Sequence, residues 1–379
     1  MMMQNWILPE YIEDILPPDA HRIEIMRRRA LDLFRAHGYD LVLPPLIEHV
    51  ESLRSGTGQD MDLMTFKLVD QMSGRLLGIR ADITPQVARI DAQLLNRPGV
   101  ARLCYAGSVL HTLPLGLTRT REPLQIGADI YGHAEIESDI EIQRLMLDVL
   151  SKLEVHKIHL DLGHVGVFRS IAQLSNISGE LESELFRALQ SKDIAGISEL
   201  VAPLGKEIRD ALCLLPELYG GKEVLELAKK HLSGFPGALD AIADLAAVAS
   251  ELAEHVPDLS FDLAELRGYH YHSGMVFAVY ADGCPNAVAL GGRYDEVGSA
   301  FGRARPATGF SMDLREISSL LPPLADEACI HAPHSKDPDL LNAIAMLRDE
   351  GRRVVVDLPG HDEEPGKRLV SRAGKWVIE

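Results

Sequence analysis

The chain has 379 residues, 46% hydrophobic and 25% charged, the balance of an ordinary globular protein long enough for two domains. Its formal net charge of −18 argues against a nucleic-acid partner, since a polyanion would be repelled unless a strong local basic patch offset the field. The four cysteines form no C-x-x-C pair, which argues against a local zinc or redox site, and no run approaches the roughly 18 apolar residues of a membrane span. The N-terminal stretch has no charged segment ahead of an apolar block, so no signal peptide is expected and the predicted location is the cytoplasm.

In chain order, the spacing predicts an amphipathic helix over 18–37, with Ile23, Met26, Leu31, Leu33 and Phe34 supplying apolar positions and Gly38 at its C-terminal end. A short strand at 40–43 runs into Pro44-Pro45, which withhold two backbone donors and so end it or keep it at an edge. Residues 66–70 and 76–80 read as a hairpin around Met72-Ser73-Gly74, and a helix follows Pro85 over 86–95. Strands are expected at 102–106 and 125–131, separated by a long loop holding Pro114, Gly116, Arg119 and Arg121. A helix at 136–155 and an alternating strand at 156–163 come next. From about 165 to 256 the chain turns rich in Leu, Ala and Glu at helical spacing, a helical insertion. The sheet resumes at 274–280 and 286–290, and 306–320 gives a strand and then a helix ended by Leu321-Pro322-Pro323. The predicted fold class is α+β: one domain over 1–320, and a small α/β unit over 326–379 with strands at 328–332, 354–357 and 376–378 around a helix at 339–349.

Four segments carry chemistry: Arg-Ala-Asp-Ile-Thr-Pro at 80–85, Gln-Ile-Gly-Ala-Asp at 125–129, Arg-Gly-Tyr-His-Tyr-His-Ser-Gly-Met-Val-Phe at 267–277 and Leu-Gly-Gly-Arg-Tyr-Asp at 290–295. Each is weak alone. Asp82 suits a helix N-cap before Thr84-Pro85-Gln86, and Arg267 suits a structural salt bridge. His270 and His272 suggest a metal pair but lack a third ligand nearby, so no metal site is expected, and Gly291-Gly292 fits a tight hairpin.

Taken together, in order and spacing, the segments resemble class II aminoacyl-tRNA synthetases, histidyl-tRNA synthetase above all, over roughly residues 8–320. The resemblance implies an antiparallel sheet of six or seven strands flanked by helices, and a dimer formed through the region of Pro45. It also implies a histidine pocket of Asp82, Thr84, Arg121, Gln125, Asp129, Arg267, Tyr271 and His272. Within it, Asp82 and Asp129 suit the ammonium group, with Thr84 as a neutral hydrogen-bond partner. Arg267 suits the carboxylate through its planar fork, and Tyr271 and Asp129 suit the imidazole. Two positions depart from the synthetases: Asp82 stands where a glutamate is usual and His272 where a tyrosine is.

The nucleotide clamp departs further. The synthetases' second motif holds the α-phosphate with an arginine in a Phe-Arg-x-Glu pattern, where this chain has Leu110-His111-Thr112-Leu113. Their third motif holds the γ-phosphate with the arginine of Gly-x-Glu-Arg, where this chain has Asp313-Leu314-Arg315-Glu316. An anion about 4 Å from a phosphate is disfavoured by roughly 4 kcal/mol per charge pair at an intermediate dielectric. The C-terminal unit is also about half the size of an anticodon-binding domain. A synthetase body with a histidine pocket but neither clamp nor anticodon domain resembles the regulatory-subunit family of ATP phosphoribosyltransferase. That resemblance implies a non-catalytic chain without cofactor that partners the short-form catalytic subunit in a hetero-oligomer, an octamer built on a dimer of this chain. It further implies histidine as effector and no tRNA. An active histidyl-tRNA synthetase or related aminoacylating enzyme, and a stand-alone amino-acid sensor, are the alternatives.

Overall fold

The computed structural model describes residues 7–54, 59–114, 116, 119–269, 271–322, 329–360 and 366–379. Met1–Pro322 form one compact unit and Pro323–Glu379 a second.

The first unit contributes twelve strands among the described residues: β1 (Asp40–Leu41), β2 (Ile47–His49), β3 (Phe66–Val69), β4 (Leu76–Ile79), β5 (Ala101–Ser108), β6 (Leu124–Tyr131), β7 (Ile158–His164), β8 (Tyr219–Gly220), β9 (Leu259–Asp262), β10 (Met275–Ala281), β11 (Ala287–Arg293) and β12 (Ala307–Asp313). Nine form one sheet in the order β1-β5-β6-β12-β11-β10-β7-β9-β8, and β2-β4-β3 make a small second sheet. The class II synthetase-like α+β architecture is as the resemblance implies, with one correction. The main sheet is larger than six or seven strands and is mixed: β1 runs parallel to β5, and β7 parallel to β9. A parallel pair needs a crossover of a dozen or more residues. The small sheet and its helices provide it between β1 and β5, and the helical insertion between β7 and β9. Strands as short as β8 and β9 show too little alternation to be legible in the sequence.

Side chains alternate between the faces of the main sheet, and this alternation positions everything that follows. One face presents Ile126, Ala128, Ile130, Leu160, Leu162, Phe277, Val279, Phe310 and Met312 to the principal core. Helices Asp19–Ala36, Ile136–Lys152, Val165–Leu174, Pro236–Leu252 and Leu314–Leu320 contribute to that core. On helix Asp19–Ala36 the buried positions are Ile23, Met26, Ala30 and Phe34, one stripe at helical spacing. The opposite face is polar and rich in glycine: Gln125, Gly127 and Asp129 on β6 lie opposite Asp313, Ser311 and Gly309 on β12. Its far end carries His159, Asp161 and Gly163 on β7. The predicted helix after Pro85 begins as Thr84–Arg89 and widens into a π-helical turn over Ile90–Leu95, ended by Asn96 in the left-handed region. It covers one end of the polar face, where Ile83, Val87, Leu103, Tyr105, Tyr131 and Tyr294 make a second core.

The helical insertion consists of helices Val165–Leu174, Glu180–Gln190, Ile194–Val201, Lys206–Leu214, Glu223–His231 and Pro236–Leu252. Among the described residues, no helix is long and apolar enough to cross a membrane. The C-terminal unit is a four-stranded sheet, β13 (Ile330–Ala332), β14 (Val354–Val356), β15 (Lys367–Arg372) and β16 (Lys375–Ile378), in the order β14-β13-β15-β16. Ile330, Leu340, Ile344, Val354 and Leu369 form its core beneath helix Pro338–Asp349. Lys-Arg-Leu-Val-Ser-Arg gives β15 a single buried position, Leu369, too little apolar alternation to be read as a strand in advance.

Candidate functional site

The polar face of the main sheet forms a groove that owes its depth to glycines. A Cβ on Gly127 would lie 2.4 Å from the Tyr105 hydroxyl, one on Gly292 2.8 Å from the His272 ring, and one on Gly309 1.9 Å from Asp129 Oδ1. None of these distances is tolerated by real side chains, so the strands are stripped to backbone where the groove passes. Gly309→Ala is therefore expected to displace the Asp129 carboxylate and abolish ligand binding in a calorimetric titration, with the far-UV circular dichroism retained.

At the β6 end, Asp82 Oδ1 accepts from Gln125 Nε2 (2.7 Å), the Thr84 amide (3.1 Å) and the Thr84 hydroxyl (3.2 Å). Gln125 Oε1 in turn accepts from the Ile83 amide, and the Thr84 hydroxyl bonds to that of Tyr105 at 3.0 Å. Asp82 is not the N-cap as the sequence suggested, since Ile83 holds that position, but its Oδ1 bonds the first amide of the helix and joins it to Gln125. Asp129 is fully buried, and Tyr294 donates its hydroxyl to Oδ1. Burial pushes the Asp129 carboxyl well above the usual carboxylate range. Asp129 Oδ2 and the Tyr271 hydroxyl have no hydrogen-bond partner among the described residues. The Tyr271 ring packs on Tyr294 with centroids 5.1 Å apart. Buried polar atoms are seldom left unpaired, and these two both lie beside Tyr294, which makes their surroundings a candidate place for a polar ligand.

The segment carrying Tyr271 and His272 is held from behind by Arg169 of the helical insertion. Its guanidinium donates to the carbonyls of Tyr269, His272 and Ser273 at 3.1–3.3 Å and lies over the Tyr269 ring. His272 Nδ1 bonds to the Arg293 carbonyl at 3.2 Å, and burial lowers the ring's pKa to about 4. His164, whose Nδ1 accepts from the Gly166 amide, is lowered to about 4 for the same reason. Both imidazoles are therefore neutral when folded, and both take up a proton on unfolding below the ordinary histidine pKa of about 6.5. Stability they contribute is complete above pH ~6.5 and lost as the pH falls toward 4. The buried Asp129 and Asp139 carboxyls, raised by burial, oppose this loss on acidification, so the outcome is read as a difference. Between pH 7 and pH 5 the urea midpoint of His164→Asn is expected to fall less, or rise more, than that of the wild type.

Arg267 lies farther along the groove, beside His272, Asp161 and Glu265. It is bonded to Glu265 (3.1 Å) and to the Tyr280 hydroxyl (3.3 Å). Arg121 is not brought to these residues: its guanidinium donates to the carbonyls of His111 and Glu10 and lies over the Phe66 ring. His270 falls outside the described residues. Tyr294, Asp161, Glu265 and Arg169 escaped the sequence reading. Tyr294 stands inside the quoted Gly-Gly-Arg-Tyr-Asp run, and the alternation His159-x-Asp161-x-Gly163 places Asp161 on the glycine-rich face.

The two positions where the resemblance expects phosphate-binding arginines have other occupations. The His111 ring is buried, its Nε2 bonded to the Ala81 carbonyl at 2.9 Å, and burial lowers its pKa, so it offers no fixed positive charge. Glu316 forms a mostly buried ion pair with Arg119 (2.8 Å) and accepts from Asn286 Nδ2 at the same distance. Arg315 turns to the carbonyls of Glu122 and Glu13.

Residues 11–317 match the histidyl-tRNA synthetase family, and residues 327–379 match the ATP phosphoribosyltransferase subunit HisZ C-terminal domain. A protein of Nitrosospira multiformis, named ATP phosphoribosyltransferase regulatory subunit, is 60% identical over 100% of this chain and 99% of that one. The chain belongs to this regulatory-subunit family. A protein of the same name from Ralstonia pickettii is 55% identical over 100% of this chain and 98% of its own. Among solved structures, an ATP phosphoribosyltransferase regulatory subunit/histidyl-tRNA synthetase from Bacillus halodurans C superposes with a TM-score of 0.82, at 25% identity and 95% coverage of each chain. A histidyl-tRNA synthetase from Nostoc sp. PCC 7120 gives 0.76 at 19% identity over 94% of this chain and 87% of that one, a likeness of fold.

Proposed function

We propose that this chain is the non-catalytic regulatory subunit of ATP phosphoribosyltransferase, required for the first step of histidine biosynthesis and for its feedback inhibition by histidine. Its relatives' names support a complex with a catalytic subunit, the chain that joins ATP to phosphoribosyl pyrophosphate. The observation that carries the loss of adenylation is the Arg119–Glu316 pair. The position where the resemblance expects the γ-phosphate arginine holds Glu316, already paired with Arg119, so a phosphate there would have to break that pair and then face the acid. Histidine fills the groove between Asp82 and Arg267, completes the unpaired Asp129 and Tyr271 groups, and orders the segment that Arg169 ties to the helical insertion. A coupling of about 1–3 kcal/mol between that order and the partner's active arrangement suffices for regulation.

The assembly is a hetero-octamer in the cytoplasm, built on a dimer of this chain and without tRNA. Leu41, Leu43, Leu46 and Ile47 stand exposed around Pro44-Pro45, which favours that region for self-association. The test mixes the catalytic subunit with this chain and follows formation of phosphoribosyl-ATP. Activity that rises with this chain and falls with added histidine is expected. Histidine-dependent exchange of pyrophosphate into ATP by this chain alone would instead mean a working synthetase.

A further inference from the structure

Arg267 meets a carboxylate of its own chain. Glu265 accepts from the Arg267 backbone amide through Oε1 (2.7 Å) and from the guanidinium through Oε2 (3.1 Å), so the acid is locked to the arginine two residues later at both ends. The turn that delivers Glu265 passes directly over β7, where a Cβ on Gly163 would stand 2.9 Å from the Glu265 Cβ. Glycine at 163 is what lets the acid sit there. Asp161 also lines this end of the groove, its Oδ1 accepting from the Ser260 hydroxyl at 2.6 Å. One guanidinium therefore faces two carboxylates before any ligand arrives, and an incoming carboxylate meets like charge as well as its cation.

We propose that Glu265 is a built-in counter-ion of Arg267, which the carboxylate of a bound amino acid must displace, and that this exchange sets the pocket's affinity. The inference rests on the proposed histidine pocket. A ligand with a carboxylate bears the cost of displacing Glu265; a ligand of the same shape without one does not. Glu265 accordingly weakens the binding of histidine and leaves the binding of histidinol, whose alcohol replaces the carboxylate, almost untouched.

The experiment is calorimetric titration of the full chain with histidine and with histidinol, comparing wild type, Glu265→Gln, Glu265→Ala and Arg267→Ala. Removing the Glu265 charge is expected to tighten histidine by about tenfold, equivalent to about 1.4 kcal/mol, and to change histidinol by less than about twofold. Unchanged or weaker histidine binding in both Glu265 variants, with loss in Arg267→Ala, would overturn the counter-ion role and leave the pocket standing. Equal tightening of both probes would also overturn it. If neither wild type nor any variant binds either probe, the pocket itself is refuted. Should both Glu265 variants melt well below wild type, Glu265→Asp takes their place. Its shorter arm withdraws the charge from Arg267 and is expected to shift histidine affinity in the same direction.

Discussion

Replacing Arg267 by alanine is expected to abolish feedback inhibition by histidine while the complex with the catalytic subunit still assembles. The arginine supplies the planar, permanently charged fork at its end of the groove, and charge-assisted hydrogen bonds to a carboxylate contribute about 1.5–3 kcal/mol each. Losing two of them raises the inhibitory histidine concentration by roughly 100-fold or more. The guanidinium is partly exposed, and the two acids it faces, Glu265 and Asp161, are half-buried, so its removal leaves no fully buried charge behind. The chain should therefore fold and co-elute with its partner. Inhibition that survives the substitution at wild-type histidine concentrations would place the effector elsewhere.

Asp139→Ala is expected to have the largest effect on stability, about 3–5 kcal/mol in urea unfolding. Asp139 accepts from Arg293 Nε (3.0 Å) and Nη2 (2.7 Å), both side chains are almost fully buried, and Arg293 also donates to the carbonyls of His133 and Glu135 and to the Ser138 hydroxyl. Burial raises the Asp139 carboxyl in spite of the neighbouring guanidinium, so desolvation outweighs the attraction even with the pair intact. Removing the acid alone leaves the buried guanidinium with only its longer, more exposed pair to Asp295 (3.3 Å), whereas removing both charges avoids that. The double substitution Asp139→Leu with Arg293→Met should recover part of the loss, and a double mutant as unstable as the sum of the single ones would contradict this account. The pair also supports the groove, because the Arg293 carbonyl receives His272 Nδ1 and the Ser273 amide.

Much of the architecture was legible because strong periodicity is a local signal. Helix Asp19–Ala36, strands β5, β6, β10 and β11 and the helical insertion all lie where the spacing of apolar residues put them, within a few residues at the ends. The parallel partners β1 and β9 were not legible as such, since pairing direction is fixed by crossovers that no short window contains. Of the candidate pocket, Asp82, Thr84 and Gln125 meet in one network, and Asp129 and Tyr271 share Tyr294 as a neighbour. Arg121 was drawn from a loop, and a loop arginine has many carbonyls within reach; here it takes those of His111 and Glu10. Glu316 and Arg119 lie far apart in the chain, and only the folded sheet shows that the acid has a cation to neutralise.

The central claim, a synthetase body that keeps its amino-acid pocket after losing its nucleotide clamp, is tested most directly by titrating the full chain with histidine and, separately, with ATP and magnesium in a calorimeter. The account predicts saturable heat with histidine and none with ATP. Tight ATP binding would contradict it, since the Arg119–Glu316 pair would then be no barrier to phosphate.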